Sequence, residues 1–178
     1  MFIRNWMLSK NNRRPVLVEL IDRPIRVLYV EGYPRWEYRY LKNLLIREQS
    51  ITASVLLLSA DRAFTQEGDL PITRAPANAE ELAGYDVVIL GRRIEHLLSL
   101  KVARLLPTYV SHYGGRVVFA RGRAYNPNTP RGQKFGRVLS VLEPVEWGKG
   151  TLHNQKLVLE PAGRIHPIFS DAVREDGA

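Results

Sequence analysis

The chain has 178 residues, the size of one ordinary domain, and its 45% hydrophobic content is typical of a globular protein. It contains no cysteine, which excludes a disulfide framework, thiolate metal ligands and a cysteine nucleophile in this polypeptide. The formal net charge of +8 favours contact with nucleic acid, anionic lipid or an acidic protein surface. Because the Lys and Arg residues form no dense block, we expect a basic surface without a dedicated nucleic-acid site.

The ends of the chain differ in pattern from its centre. Residues 1–24 are predicted to be an arm or the end of a preceding domain, since 1–15 show no clear period and a short strand-like run at 16–21 is closed by Asp22-Arg23-Pro24. The domain itself is predicted at 25–170, and a short tail at 171–178. No apolar run approaches the roughly 18 residues that a membrane-spanning helix needs, so no span is predicted in this chain.

Strand and helix patterns alternate along the predicted domain. Runs rich in Val, Ile and Leu predict strands at 25–31, 51–58, 86–91, 116–120 and 156–160. Apolar residues at helical spacing predict helices at 35–48, 79–84, 95–113 and 133–142, with Pro107 kinking or dividing the third. Residues 59–77 are predicted to be a long loop. This order predicts an α/β domain with a mainly parallel sheet between two helical layers.

The first predicted helix carries an unusual number of aromatic residues. Trp36, Tyr40, Leu41, Leu44 and Leu45 recur at three- and four-residue spacing, which predicts a buried face. An alternative is that the aromatic residues, interleaved with arginines, stack on the bases of a single-stranded nucleic acid. We favour core packing of Trp36 and Tyr40.

Three segments together carry a family resemblance. They are 27–42 (VLYVEGYPRWEYRYLK), 55–59 (VLLLS) and 85–91 (YDVVILG). With them the chain, over about residues 16–170, resembles the class I glutamine amidotransferase-like domain of large bacterial membrane-anchored proteins, which often also carry a von Willebrand factor A domain. The resemblance implies a flavodoxin-like three-layer fold. It also implies partners among the other domains or proteins of a bacterial envelope-associated assembly.

The residues that active members of that family use for catalysis are not matched. Active members place a cysteine on a Gly-x-Cys-x-Gly turn between strand and helix, and a His and a Glu act with it. The best counterpart of the turn here is 119–123, which puts Arg121 or a neighbour at the nucleophile position. His166 is similar to the late His of the family, but Ile168 stands where the acid would follow. The resemblance therefore implies a pseudoenzyme that acts as a binding or scaffolding module.

Charged residues follow the predicted strands at the edge where open parallel sheets bind ligands. The candidate ligand-binding residues are Glu31, Gly32, Arg35, Glu37, Arg92, Arg93, Arg121 and Arg123. One hypothesis is that the arginines converge on a small anion, and that Glu31 and Glu37 supply acid and base chemistry in an enzyme of another class. The other is that the arginines are separate loop charges, that Glu31 contacts backbone amides and that Glu37 pairs with an arginine, and we favour it.

The remaining residues form no motif that predicts a metal or cofactor site. The four histidines, His96, His112, His153 and His166, lack metal-ligand spacing. No serine lies in a Gly-x-Ser-x-Gly turn, and the glycines form no dinucleotide or nucleoside triphosphate motif. We expect no metal and no cofactor. Nucleic-acid binding through the basic surface stays a third hypothesis, beside the binding module and the enzyme.

Overall fold

Four parallel strands form the centre of the fold. They are β1 (Ile25–Glu31), β2 (Ile51–Leu57), β3 (Val87–Leu90) and β4 (Arg116–Phe119), in the sheet order β2-β1-β3-β4. All three pairings are parallel, as in β1 with β2, where Ile25 lies opposite Ile51. The computed structural model describes residues 23–58, 66–120, 122–148, 158 and 160–167. The predicted parallel sheet is confirmed.

The strands are connected through helices. These are α1 (Trp36–Arg47), α2 (Ala79–Ala83), α3 (Leu100–Ala103), α4 (Leu106–Ser111), α5 (Pro130–Leu139) and α6 (Pro161–Arg164), with a 3₁₀ turn at Ile94–His96. Asn78 caps the N-terminus of α2, because its side chain accepts a hydrogen bond from the Glu81 backbone N–H at 2.8 Å.

Successive residues of β1 enter two different hydrophobic clusters, because neighbouring side chains of a strand point to opposite faces of the sheet. Val27 and Tyr29 pack with α1 on one face. Leu28 and Val30 pack on the other face with side chains from α2 to α5. The buried helical residues on that second face are Leu82, Val102, Ala103, Leu106, Tyr109, Phe135 and Leu139. Helices therefore cover both faces, which confirms the three-layer α/β fold of the flavodoxin-like type.

The buried face of α1 differs from the prediction. Tyr38 and Leu45 are its buried residues, and they pack onto the sheet. Trp36 and Tyr40 are 69% and 72% exposed, so the prediction that they pack in the core is wrong. The apolar spacing in this helix fits two stripes, since 36, 40 and 44 follow one line along it and 38, 41 and 45 follow another. Periodicity alone does not say which of the two stripes faces the sheet.

The predicted helix at 95–113 is three short elements. A 3₁₀ turn precedes α3, and Pro107 lies in the first turn of α4, where a missing N–H breaks no helical hydrogen bond. The helix predicted at 133–142 begins earlier, because the Thr129 side chain caps it by accepting from the Gly132 N–H. In both cases a cap or a proline sets the boundary that the hydrophobic period left open.

The chain divides into two compact units, Met1–Pro144 and Val145–Ala178. The sheet belongs to the first unit, and α6 is the helix described in the second. The strand predicted at 156–160 lies mostly outside the described residues, and so does the arm predicted at 1–24, of which only the last two residues are described.

Burial in the sheet predicts the effect of removing a leucine side chain. Leu90 of β3 is fully buried, so Leu90→Ala is expected to lower the free energy of unfolding by about 3 kcal/mol, through lost burial and the cavity left behind. Leu44→Ala, at a 63% exposed position of α1, is the matched control and is expected to cost less than about 0.5 kcal/mol. Urea denaturation of the two variants measures both, and an equal loss in both would contradict the assignment of the outward face.

Candidate functional site

The sheet order places a topological switch point between β1 and β3. The chain passes from β1 to β2 on one side of β1, and β3 lies on the other side. In open parallel sheets, ligands bind in the crevice between the two loops that leave such a point. Here those loops begin at Gly32 and Gly91.

The Glu31 carboxylate fills this crevice. Its side chain is completely buried and accepts hydrogen bonds from the Tyr29 hydroxyl at 3.0 Å, the Arg35 Nε at 3.0 Å and the Arg92 backbone N–H at 2.8 Å. The Arg35 guanidinium, whose side chain is 10% exposed, supplies the opposite charge. Burying a carboxylate is costly unless it is paired and hydrogen-bonded, and both conditions are met here.

Two glycines let the loops approach the carboxylate. A Cβ atom on Gly91 would lie 2.3 Å from the Glu31 Oε2, and a Cβ atom on Gly32 would lie 2.2 Å from the Arg93 carbonyl oxygen. The Gly32 N–H also donates to the Arg92 carbonyl at 2.7 Å. The loops after β1 and β3 are therefore in direct contact, and the crevice is closed by protein.

Arg35 extends this network across the sheet. Its Nη2 donates to the Ala120 carbonyl at 2.9 Å, directly after β4, while its Nε donates to Glu31 at the end of β1. The Glu37 carboxylate lies 3.8 Å from the Arg35 Nη1. One guanidinium thus joins the carboxyl ends of β1 and β4 to the first turn of α1.

Arg92 and Arg93, two other candidate arginines, have different surroundings from Arg35. Arg92 takes part through its backbone and is exposed, and Arg93 lies over the Tyr33 ring, with its Cζ 5.4 Å from the ring centroid. Arg93 has a left-handed backbone with φ of 54°. Arg123 is half-buried, and Arg121 lies outside the described residues. The Arg35 side chain therefore contacts Glu31, whereas Arg92 contacts it through its backbone N–H.

A second buried carboxylate, which the sequence motifs did not single out, follows β3. Glu95 is fully buried and its Oε1 accepts from the Asn126 backbone N–H at 3.1 Å. The His96 Nε2 lies 3.9 Å from the same oxygen, whereas Oε2 has no hydrogen-bond partner within the described part of the chain. The sequence signal that could have identified Glu95 is its position among apolar residues such as Ile94 and Leu98.

An open cavity lies beside the closed crevice, between the N-terminus of α1 and the end of β2. Its volume is about 620 Å³. Of the sequence candidates, Arg35 and Glu37 line it. Its other lining residues are Tyr33, Pro34, Trp36, Tyr38, Arg39, Lys42, Leu57 and Glu67. Lys42 and Glu67 form an ion pair within it, and neither was predicted, because one lies in mid-helix and the other in a loop without a pattern.

Two buried tyrosines in this region stay protonated. Burial, together with the Glu31 carboxylate, raises the pKa of Tyr29 well above its usual range. Burial and the charge of Glu67 raise the pKa of Tyr38 to about 12. Each is therefore a hydrogen-bond donor at neutral pH. Tyr29 donates to Glu31, whereas the Tyr38 hydroxyl has no partner among the described residues.

This arrangement favours a binding function over catalysis in which Glu31 acts as an acid or a base. A general base must reach the proton that it abstracts, and the Glu31 carboxylate is surrounded by donors of its own fold. Beside this carboxylate, the side chains of the cavity and of the exposed side of α1 remain accessible.

None of the helices formed by the described residues is long and apolar enough to cross a membrane. Over the same residues, no three His, Asp or Glu side chains come together as a metal site would require.

Comparison with protein-family models, with curated proteins and with solved structures found no match. The resemblance to the glutamine amidotransferase-like domain consequently rests on the sequence segments that carry it, and the fold rests on the strands and helices described above.

The close approach at Gly91 predicts the effect of adding one methyl group. Gly→Ala at an ordinary backbone conformation usually stabilises a protein by about 0.4–1 kcal/mol. Gly91→Ala is instead expected to lower the free energy of unfolding by about 2–3 kcal/mol, because the Glu31 carboxylate that it meets is held by three donors. Gly148→Ala, with open space around its Cβ, is the control. Thermal and urea unfolding measure both, and a neutral Gly91→Ala would contradict the closed crevice.

Proposed function

We propose that this chain is a non-catalytic module of the glutamine amidotransferase-like type, which binds another domain or protein of a larger bacterial assembly through the exposed side of α1. The observation that carries this proposal is a row of three large apolar side chains on that side, Trp36, Tyr40 and Leu44, named here the α1 ridge. They are 69%, 72% and 63% exposed.

The α1 ridge is continuous along the helix. Its members are four residues apart, and residues at that spacing are neighbours on a helix surface. Single exposed apolar residues are ordinary in proteins, but contiguous apolar surface rimmed by polar residues is characteristic of a protein-protein contact. Tryptophan and tyrosine are also the residues that contribute most to such contacts.

The charges beside the α1 ridge indicate the chemistry of the partner. Arg39 and Arg47 are exposed on the same side of α1, and the Arg39 Cζ lies 5.4 Å from the centroid of the Trp36 ring. Together with the net charge of +8, they favour an acidic partner. We therefore propose a partner segment that combines apolar residues with Asp or Glu, such as one face of an amphipathic helix.

Two observations support the non-catalytic part of the proposal. The chain has no cysteine, so the nucleophile of glutamine hydrolysis is missing from this polypeptide. The carboxylate at the switch point is held by Tyr29, Arg35 and the Arg92 N–H. The first supports a chain that does not hydrolyse glutamine by the family mechanism, and the second supports a structural role for Glu31 at the sheet edge.

The exposure of Trp36 and Tyr40 also favours a second candidate, nucleic-acid binding. Exposed aromatic rings beside arginines suit base stacking. We rank it second, because the described cations near the ridge are few and spaced along one helix, whereas nucleic acid is usually held by a continuous basic groove.

A peptide-display selection tests the proposal. Random peptides would be selected on the immobilised protein, and the enriched ones would be measured against a Tyr40→Lys, Leu44→Asp double variant by fluorescence anisotropy. We expect acidic, apolar peptides whose affinity falls at least about tenfold in the double variant, since two central contacts are lost. The matched control is Val141→Lys on another exposed apolar position, which should bind them unchanged.

Two outcomes would contradict the proposal. One is that enriched peptides bind the double variant and the native protein equally. The other is that a fluorescent single-stranded oligonucleotide binds tightly, loses affinity steeply with salt and is blocked by the same double variant, which would support the second candidate instead.

A further inference from the structure

The cavity between the N-terminus of α1 and the end of β2 lies apart from the outer part of the α1 ridge, since neither Tyr40 nor Leu44 lines it. Its volume of about 620 Å³ is that of a site for a small organic molecule. Cations, carboxylates and aromatic rings all contribute to its walls, so its chemistry is specific enough to identify a ligand class.

The first observation that points to a ligand is a buried hydroxyl without a partner. Tyr38 is 5% exposed and belongs to the lining, yet its hydroxyl has no hydrogen-bond acceptor among the described residues. Buried polar groups are nearly always hydrogen-bonded, and one left unpaired is destabilising. Since the pKa of Tyr38 is raised to about 12, partly by Glu67, the hydroxyl keeps its proton and lies near the Lys42–Glu67 pair. Within the described part of the chain, it is a hydrogen-bond donor without an acceptor.

The second observation is the state of the helix end. α1 has 12 residues, and no described side chain caps its N-terminus, although the cap residue Arg35 and the first three helical residues all line the cavity. The unpaired N–H groups of a first turn and the helix dipole favour an anion at this position. Glu37 supplies one negative charge there and is held near Arg35 at 3.8 Å.

The third observation concerns the cations. Lys42 Nζ lies 5.9 Å from the centroid of the Tyr38 ring and is paired with Glu67, whose side chain is 43% exposed. Glu67 therefore places a carboxylate from a surface loop on a largely buried lysine. The Arg39 guanidinium lies over the Trp36 ring, with its Cζ 5.4 Å from the ring centroid. Lysine, arginine and tyrosine donors thus line one cavity, and the loop carboxylate is paired with the lysine.

We propose that this cavity binds a small organic anion with a phosphate or carboxylate group, and that this group replaces the Glu67 carboxylate on Lys42 and accepts a hydrogen bond from the Tyr38 hydroxyl. The Tyr33 and Trp36 rings, which are half or more exposed at the same cavity, pack against the apolar part of the ligand. Glu67 acts as an internal competitor, because ligand and loop carboxylate use the same lysine.

Binding of phenyl phosphate and of benzoate tests this proposal. Both carry an aromatic ring, and they differ in the anionic group. Affinities would be measured at constant ionic strength by isothermal titration calorimetry, with the thermal shift of the same samples as a second readout. At least one of the two is expected to bind the native protein saturably.

Three variants give the expected pattern. Lys42→Met should weaken binding about tenfold, because a charge-assisted contact is lost. Glu67→Gln should strengthen it severalfold, because the competitor for Lys42 is removed. Tyr38→Phe should weaken binding without lowering the melting temperature of the ligand-free protein, since the hydroxyl it removes has no partner among the residues that the structure describes. Lys101→Met, on the exposed side of α3, is the control and should change nothing.

The opposite behaviour of Lys42 and Glu67 variants is the decisive result. Equal affinity in Lys42→Met and in native protein, or weaker binding in Glu67→Gln, would overturn the proposal. Absence of binding by both probes to native protein and to Glu67→Gln would overturn it as well. None of these results affects the α1 ridge, because its test uses Tyr40 and Leu44.

Discussion

The pairing of the Glu31 carboxylate with Arg35 is the interaction on which the carboxyl edge of the sheet depends. Glu31 ends β1, Arg35 is the N-cap residue of α1, and the Arg92 N–H comes from the loop after β3, so one buried carboxylate joins three segments. Arg35 adds the end of β4 through the Ala120 carbonyl. Since removal of one member of a buried ion pair leaves the other uncompensated, each of these segments depends on the pair for its position.

The same pair decides where a ligand can bind. Parallel sheets usually offer the crevice at the switch point, but Gly32 and Gly91 let the two loops close around Glu31. Next to the closed crevice, toward β2 and on α1, the chain has an open cavity and a row of exposed apolar side chains. A tyrosine hydroxyl at this cavity has no hydrogen-bond partner among the described residues. This type of fold commonly has its active site at the switch point, whereas here the accessible polar and aromatic side chains lie beside the switch point.

The sequence predicted the layers of the fold more accurately than the site. Buried parallel strands read as continuous apolar runs, so β1 to β4 were predicted within one or two residues. The orientation of α1 was not predicted, because both of its stripes are apolar and either could face the sheet. The packing of Tyr38 on Tyr29, with ring centroids 5.7 Å apart, selects the stripe that is buried. Lys42 and Glu67 are 25 residues apart, and no local pattern relates them. Such contacts depend on tertiary structure, whereas Glu31 and Arg35 are neighbours in sequence and were predicted as site candidates.

A double-mutant cycle on Glu31 and Arg35 tests the central claim most directly. The free energy of unfolding would be measured by urea denaturation for Glu31→Gln, Arg35→Met and the double variant. If the pair organises the sheet edge, each single variant loses about 3 kcal/mol, and the double variant loses clearly less than the sum of the two, because no unpaired charge remains buried. Additive losses, or single variants as stable as the native protein, would show that Glu31 is not committed to the fold and would contradict the account.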